Sequence, residues 1–176
     1  ARYLLFTLPF AVLLITKFNK YLLALIIIPA LVIDGLIIFK PELVPLPRNE
    51  RAGYLEEWTA GQGIKEVSQK IIQMSKDSPV LVGSEGFFGT PFSALELYLN
   101  KVPNVRVVGA GVWIDSVSDK LTNALADNQV VLVVNSDRLH IDDYASHNLT
   151  LLSSYAKAIK PNGTQNKLLF FKVNPK

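Results

Sequence analysis

The sequence predicts a transmembrane helical hairpin followed by an extracytoplasmic α/β domain, its sheet mostly parallel with a C-terminal antiparallel hairpin. Three observations predict it. Residues 4–16 and 21–39 are apolar runs, LLFTLPFAVLLIT and YLLALIIIPALVIDGLIIF, parted only by Lys17, Phe18, Asn19 and Lys20. Roughly 130 mostly more polar residues follow, enough for one globular domain with its own core. Within them helical and strand periodicities alternate, which is the pattern of a layered α/β fold.

The second apolar run meets the usual length of a spanning helix, about 18 residues or more, with Asp34 as its one charge. The first is short by several residues and the chain begins on Ala1. Residues 1–39 therefore read as two transmembrane helices, the first truncated, and the chain as the tail of a longer protein. Lys17 and Lys20 flank the turn, and short loops rich in Lys or Arg stay cytoplasmic. The expected placement is a multi-pass protein of the cell membrane with its C-terminal domain extracytoplasmic. Pro9 and Pro29 inside the spans point to a larger bundle, where neighbouring helices satisfy the freed carbonyls.

Arg2 precedes Lys17 by 15 positions and Asp34 follows Lys20 by 14, so both fall roughly 21–23 Å above the turn. Charges at such depth usually face a bundle interior or a polar cavity and find a partner. Two readings stand: Arg2 and Asp34 pair or line one cavity, or each reaches water near a helix end.

Residues 40–53, rich in Pro and charge, read as a linker, and residues 54–176 as the domain. Tyr54 and Trp58, four apart, share one side of a helical turn, either at the membrane surface or packed on the domain's core. Ile64, Val67, Ile71 and Met74 predict an amphipathic helix over 63–76. Strands follow at 79–83, 105–109 and 129–135, the last apolar through its middle as a central parallel strand should be. Between them Thr90-Pro91 marks a helix start. Ser116 and Asp119 have capping-box spacing, with Val117, Leu121 and Leu125 on one face behind them. Residues 149–160 fit a half-buried strand or a helical stripe. Asn162-Gly163 and the KLLFFKV of 167–173 favour the strand, returned by an antiparallel partner.

The net charge is +3 without a basic stripe, which argues against nucleic acid. The chain has no Cys, which excludes disulfides, thiolate metal sites and a cysteine nucleophile. No basic n-region with a small-residue cleavage site marks a signal peptide. Gly83, Gly86 and Gly89 make GxxGxxG rather than GxGxxG, with Phe87 and Phe88 where backbone would approach phosphate. The better reading is a strand-to-helix loop. Glu85 in it lies at the carboxyl end of a strand, where open α/β sheets bind ligands. His140, Asp142, Asp143 and His147 share a polar connection but match no metal-ligand spacing, so no metal site is expected. Asn148-Leu149-Thr150 and Asn162-Gly163-Thr164 are sequons by pattern.

Three stretches resemble the carboxyl-terminal part of GT-C class membrane glycosyltransferases, namely the dolichyl-phosphate-mannose protein mannosyltransferase-like enzymes of glycosyltransferase family 39 and the lipid A aminoarabinose transferases. Ala1-Arg2-Tyr3-Leu4-Leu5 with Leu8-Pro9 looks like the opening of a late transmembrane helix there, with Phe6 where a proline stands in those proteins. Gly53-Tyr54-Leu55-Glu56-Glu57-Trp58 through Gly61-Gln62-Gly63-Ile64 looks like the lead-in to their extracytoplasmic domain. Leu168-Leu169-Phe170-Phe171-Lys172-Val173 fits its end.

The resemblance implies a parent enzyme that moves a sugar from a polyprenyl-phosphate carrier to a protein, lipid or glycan acceptor. Its catalytic carboxylates would lie upstream, so no catalytic residue is expected in this chain. It places Arg2 and Tyr3, with Asp34 at the same level, near the lipid-phosphate cavity, where a guanidinium suits phosphate oxygens. Tyr54, Trp58 and Glu85 are the candidates for ligand or acceptor contact. No cofactor is evident, and a divalent cation is left open for the parent enzyme. The alternative is a membrane-anchored binding, sensor or interaction domain with no enzymatic activity.

Overall fold

The computed structural model describes residues 20–175. They fall into two compact units divided between Pro45 and Leu46. The first unit holds helix α1, Lys20–Phe39, with Pro29 inside it, and a 3-10 turn at Pro41–Leu43. Leu25, Ile28, Leu31 and Ile38 are exposed on α1, as is Asp34.

Among the described residues no helix is long and apolar enough to cross a membrane. The expected transmembrane hairpin is corrected accordingly. One of its arms, residues 4–16, lies outside the described residues, as do Arg2, Tyr3, Pro9 and Lys17.

The second unit begins at Leu46, inside the stretch read as a linker. A short helix α2, Arg48–Arg51, runs into a π-turn at Ala52–Glu56. Glu56 is fully buried there and takes Arg48 Nη1 at 2.5 Å and Arg51 Nε at 2.8 Å. Glu57 is extended, which ends the helical path before Trp58. The two rings expected on one helical side are therefore separated: Tyr54 is 64% exposed and Trp58 turns towards the sheet.

Then come α3 (Ile64–Met74), β1 (Val80–Glu85), α4 (Phe92–Leu99), β2 (Val105–Gly111), α5 (Asp119–Asn123), β3 (Gln129–Asn135), β4 (Leu149–Ala156) and β5 (Lys167–Val173). Helix α5 starts behind Ser118, so Ser116 and Asp119 do not form the expected capping box. The sheet order is β2-β1-β3-β5-β4. Strand β1 is parallel to β2 and β3, while β5 is antiparallel to both β3 and β4. The sheet is thus mixed rather than mostly parallel. Its C-terminal pair is not simply appended at the edge, because β5 inserts beside β3 and leaves β4 outermost.

Alternate side chains divide the core into two faces, as the period of a strand requires. Val80, Val82, Val131, Val133, Leu168 and Phe170 pack under Ile64, Val67 and Ile71 of α3 and Leu95 and Leu99 of α4. Leu81, Val108, Leu132, Val134, Leu169 and Phe171 pack on the opposite face with Leu121 of α5, Ile114 and Leu139. A buried side chain of this size stabilises by roughly 1.5–3 kcal/mol, so both faces are needed to hold the strands in register. Gly83 permits the approach of α5, since a Cβ there would stand 2.7 Å from Leu121 Cδ1.

Candidate ligand-binding site

Strands β1, β2 and β3 finish side by side at Glu85, Gly111 and Asn135. The chain leaves β1 towards β2 on one side and leaves β3 towards β4 on the other. Between two strands whose connections part in this way lies the crevice where open α/β sheets bind ligands. A cavity of about 230 Å³ occupies that place. Its lining comes from all three strand ends: Glu85 to Phe88 and Thr90 after β1, Val112 after β2, and Arg138 after β3, with Trp58 closing one side.

Local backbone shapes the cavity. Opposite Glu85 the register slips, leaving Ala110 as an extra residue of β2, and bulges of this kind re-aim side chains beside functional sites. Gly86 and Gly89 both have φ near +70°, a conformation that side chains other than glycine rarely adopt. They turn the loop so that Phe87 folds over Gly109, where a Cβ would collide with its ring. Gly86 and Gly89 serve the turn, and Gly109 the close approach of Phe87. Phe87 and Phe88 are 61% and 80% exposed, large apolar surfaces around a recess.

The floor is polar and buried. Glu85 is 4% exposed, and both its oxygens accept hydrogen bonds from Asn135, Oε2 from the backbone N–H and Oε1 from Nδ2, each at 2.6 Å. Asn135 Oδ1 in turn accepts from Lys157 Nζ at 2.5 Å, and Lys157 also donates to the Glu57 carbonyl at 2.8 Å. Burial pushes the Glu85 carboxyl above its ordinary 4.5, against the lowering effect of the Asn135 hydrogen bonds. Burial likewise lowers Lys157 from 10.5 to about 8.

The wall is a cation lying over two indole rings. The Arg138 guanidinium lies 4.2 Å from the ring centre of Trp113 and 5.4 Å from that of Trp58. Trp113 also stacks on His140 at 5.1 Å, and His140 Nδ1 meets Asp115 Oδ1 at 2.9 Å.

Of the residues the sequence singled out, Trp58 and Glu85 meet in this cavity. Tyr54 does not line it. Asp34 belongs to the other unit, and Arg2 and Tyr3 lie outside the described residues. The polar connection does not gather its four candidate ligands: His140 turns to Asp115, while His147 Nδ1 meets the Asp143 carbonyl and Ser146 Oγ. Among the described residues no group of three or more such side chains could hold a metal ion. Sequence reasoning passed over Arg138, Val112, Asn135 and Lys157. A signal existed for the first two, since each follows a strand end by one to three residues. Lys157 carried one as well, since it interrupts the apolar parity of Leu149, Leu151, Tyr155 and Ile159, and it is buried.

Family models, curated proteins and solved structures were compared with the chain, and none matches it. Fold and site together define an open α/β domain with an aromatic-lined cavity at its switch point.

Proposed function

We propose that this domain binds a saccharide acceptor for a polyprenyl-phosphate-sugar-dependent glycosyltransferase, of which the chain is the carboxyl-terminal part. The observation that carries the binding half is the pocket itself, with Trp58, Phe87 and Phe88 around a guanidinium and a recessed carboxylate. A sugar ring offers a C–H face that lies on aromatic rings and a hydroxyl edge that hydrogen-bonds charged groups. Sites of this make-up combine an apolar lining with a few placed polar groups. A binding role also suits Glu85, the one carboxylate in the lining, because Asn135 engages both of its oxygens. The glycosyltransferase half rests on the order of motifs from Arg2-Tyr3 to Lys172-Val173, and catalysis, with any divalent cation, belongs to the upstream part of that enzyme.

The test uses transfer by the whole enzyme with Phe88→Ser, an exposed position whose loss leaves folding largely intact. Acceptor KM is expected to rise about tenfold, and more than donor KM, as it does when binding of one substrate is removed. Equal effects on both substrates, or none, would overturn the acceptor role. A protein that binds sugar but shows no transfer in any form would be a sensor or binding domain instead.

A further inference from the structure

We infer that the pocket selects saccharides carrying an anionic group, a carboxylate or a phosphate, which pairs with the Arg138 guanidinium that lies over Trp58 and Trp113. This deepens the saccharide reading above and rests on it. Among the described residues the Arg138 guanidinium makes no ion pair and no hydrogen bond, although it lines a cavity. Arg48 shows the contrast, since Glu56 takes it up within the domain. The guanidinium carbon lies over two indole rings, 4.2 Å from the centre of Trp113 and 5.4 Å from that of Trp58, and these contacts restrain the side chain. Contact of this kind occupies no N–H donor, so the planar fork that matches a carboxylate or phosphate is left for a ligand. Restraint before binding reduces the ordering cost.

The neighbouring charges allow an anion. Glu85 is committed to Asn135 through both of its oxygens. Asp115 meets His140, and Asp137 is exposed beside the site.

The chain has two tryptophans, Trp58 and Trp113, and both stand against Arg138, so tryptophan emission, excited selectively over tyrosine, reports this site. The full chain is titrated with methyl β-glucoside, methyl β-glucuronide, glucose 6-phosphate, acetate and inorganic phosphate. The two anionic sugars are expected to bind about tenfold more tightly than the glucoside, the effect of one charge-assisted hydrogen bond. Whichever of them binds better identifies the anion. Arg138→Gln brings the anionic-to-neutral ratio close to one, and Arg138→Lys, which keeps the charge without the fork, leaves an intermediate ratio.

Glucoside bound as tightly as both anionic sugars overturns the inference and leaves the saccharide reading standing. No sugar bound by a natively folded chain, judged by circular dichroism, overturns both. Acetate and phosphate bound as tightly as the anionic sugars overturn the saccharide reading, and the inference with it. If Arg138→Gln does not fold, a wild-type ratio in Arg138→Lys overturns the inference.

Discussion

Asn135 gives its backbone N–H to one oxygen of Glu85 and its side-chain Nδ2 to the other, both at 2.6 Å, and so ties the end of β3 to the end of β1. The amide cannot flip. Lys157 is a donor only, so Oδ1 must face it, and Nδ2 is left for Glu85 and the Trp58 carbonyl at 3.3 Å. One neutral side chain thereby sits between a buried acid and a buried base at the floor of the pocket.

Replacing that amide should be expensive. Asn135→Ala leaves Lys157 and Glu85 each short of a partner in a buried setting, and unsatisfied charged groups cost more than neutral ones. A loss of about 3 kcal/mol is expected in urea unfolding. A loss below about 1 kcal/mol would mean that water replaces the amide without difficulty.

The two buried groups also give the stability a pH dependence of opposite signs. Lys157 falls from 10.5 to about 8 on folding, so the unfolded chain binds more protons across that window. Its penalty is in force below about pH 8 and fades as pH climbs towards 10.5. Glu85 is raised above 4.5, so its contribution is full below that value and is lost as pH rises through the raised one. Lys157→Met should flatten the rise between about pH 8 and 10.5 in the urea midpoint, relative to wild type. Glu85→Gln should flatten the fall above pH 4.5. A Lys157→Met profile that superimposes on wild type would assign the alkaline change to another group.

The strands and the first amphipathic helix were legible because burial imposes a period: QVVLVVN has no polar residue between its ends, and Ile64, Val67 and Ile71 fall on one face. Glu85 was legible as a position, since a carboxylate after a buried strand stands at the ligand edge of such a sheet. The insertion of β5 between β3 and β4 was not. A turn signal at Asn162-Gly163 says that two strands can pair, but not that the second has a further neighbour. That is decided by Leu168 and Phe170 on one face and Leu169 and Phe171 on the other, which makes β5 apolar on both. Arg138 escaped for a related reason. Its partners Trp58 and Trp113 are 80 and 25 positions away, and only the assembled sheet ends bring them together.

The buried Glu56 should respond unequally to loss of its two arginines. Glu56→Ala removes the carboxylate that Arg48 and Arg51 share and empties a buried site, and about 3 kcal/mol of stability should go with it. Arg48, half exposed, is the weaker holder, and Arg48→Ala is expected to cost about 1 kcal/mol or less. Arg51, 25% exposed at its side chain, should cost more. Thermal or urea unfolding of the three variants checks the order, and a larger loss in Arg48→Ala than in Arg51→Ala would reverse it.

Two glycines separate the stability of the domain from the shape of its pocket. At Gly83 a new Cβ meets the tip of Leu121, a flexible side chain that can rotate away. At Gly109 it meets the ring of Phe87 and, at 2.6 Å, the Gly86 carbonyl, which is backbone and cannot yield without moving the loop. Both Gly83→Ala and Gly109→Ala should lose about 1–3 kcal/mol through overpacking. Their effects on the pocket should diverge. Gly109→Ala displaces Phe87 and Phe88, so saccharide affinity read from tryptophan emission is expected to fall about tenfold, the equivalent of roughly 1.4 kcal/mol. Gly83→Ala strains the opposite side of β1, against α5, and should bind within about twofold of wild type once unfolding is allowed for. Equal affinities in the two variants would detach Phe87 and Phe88 from the binding surface.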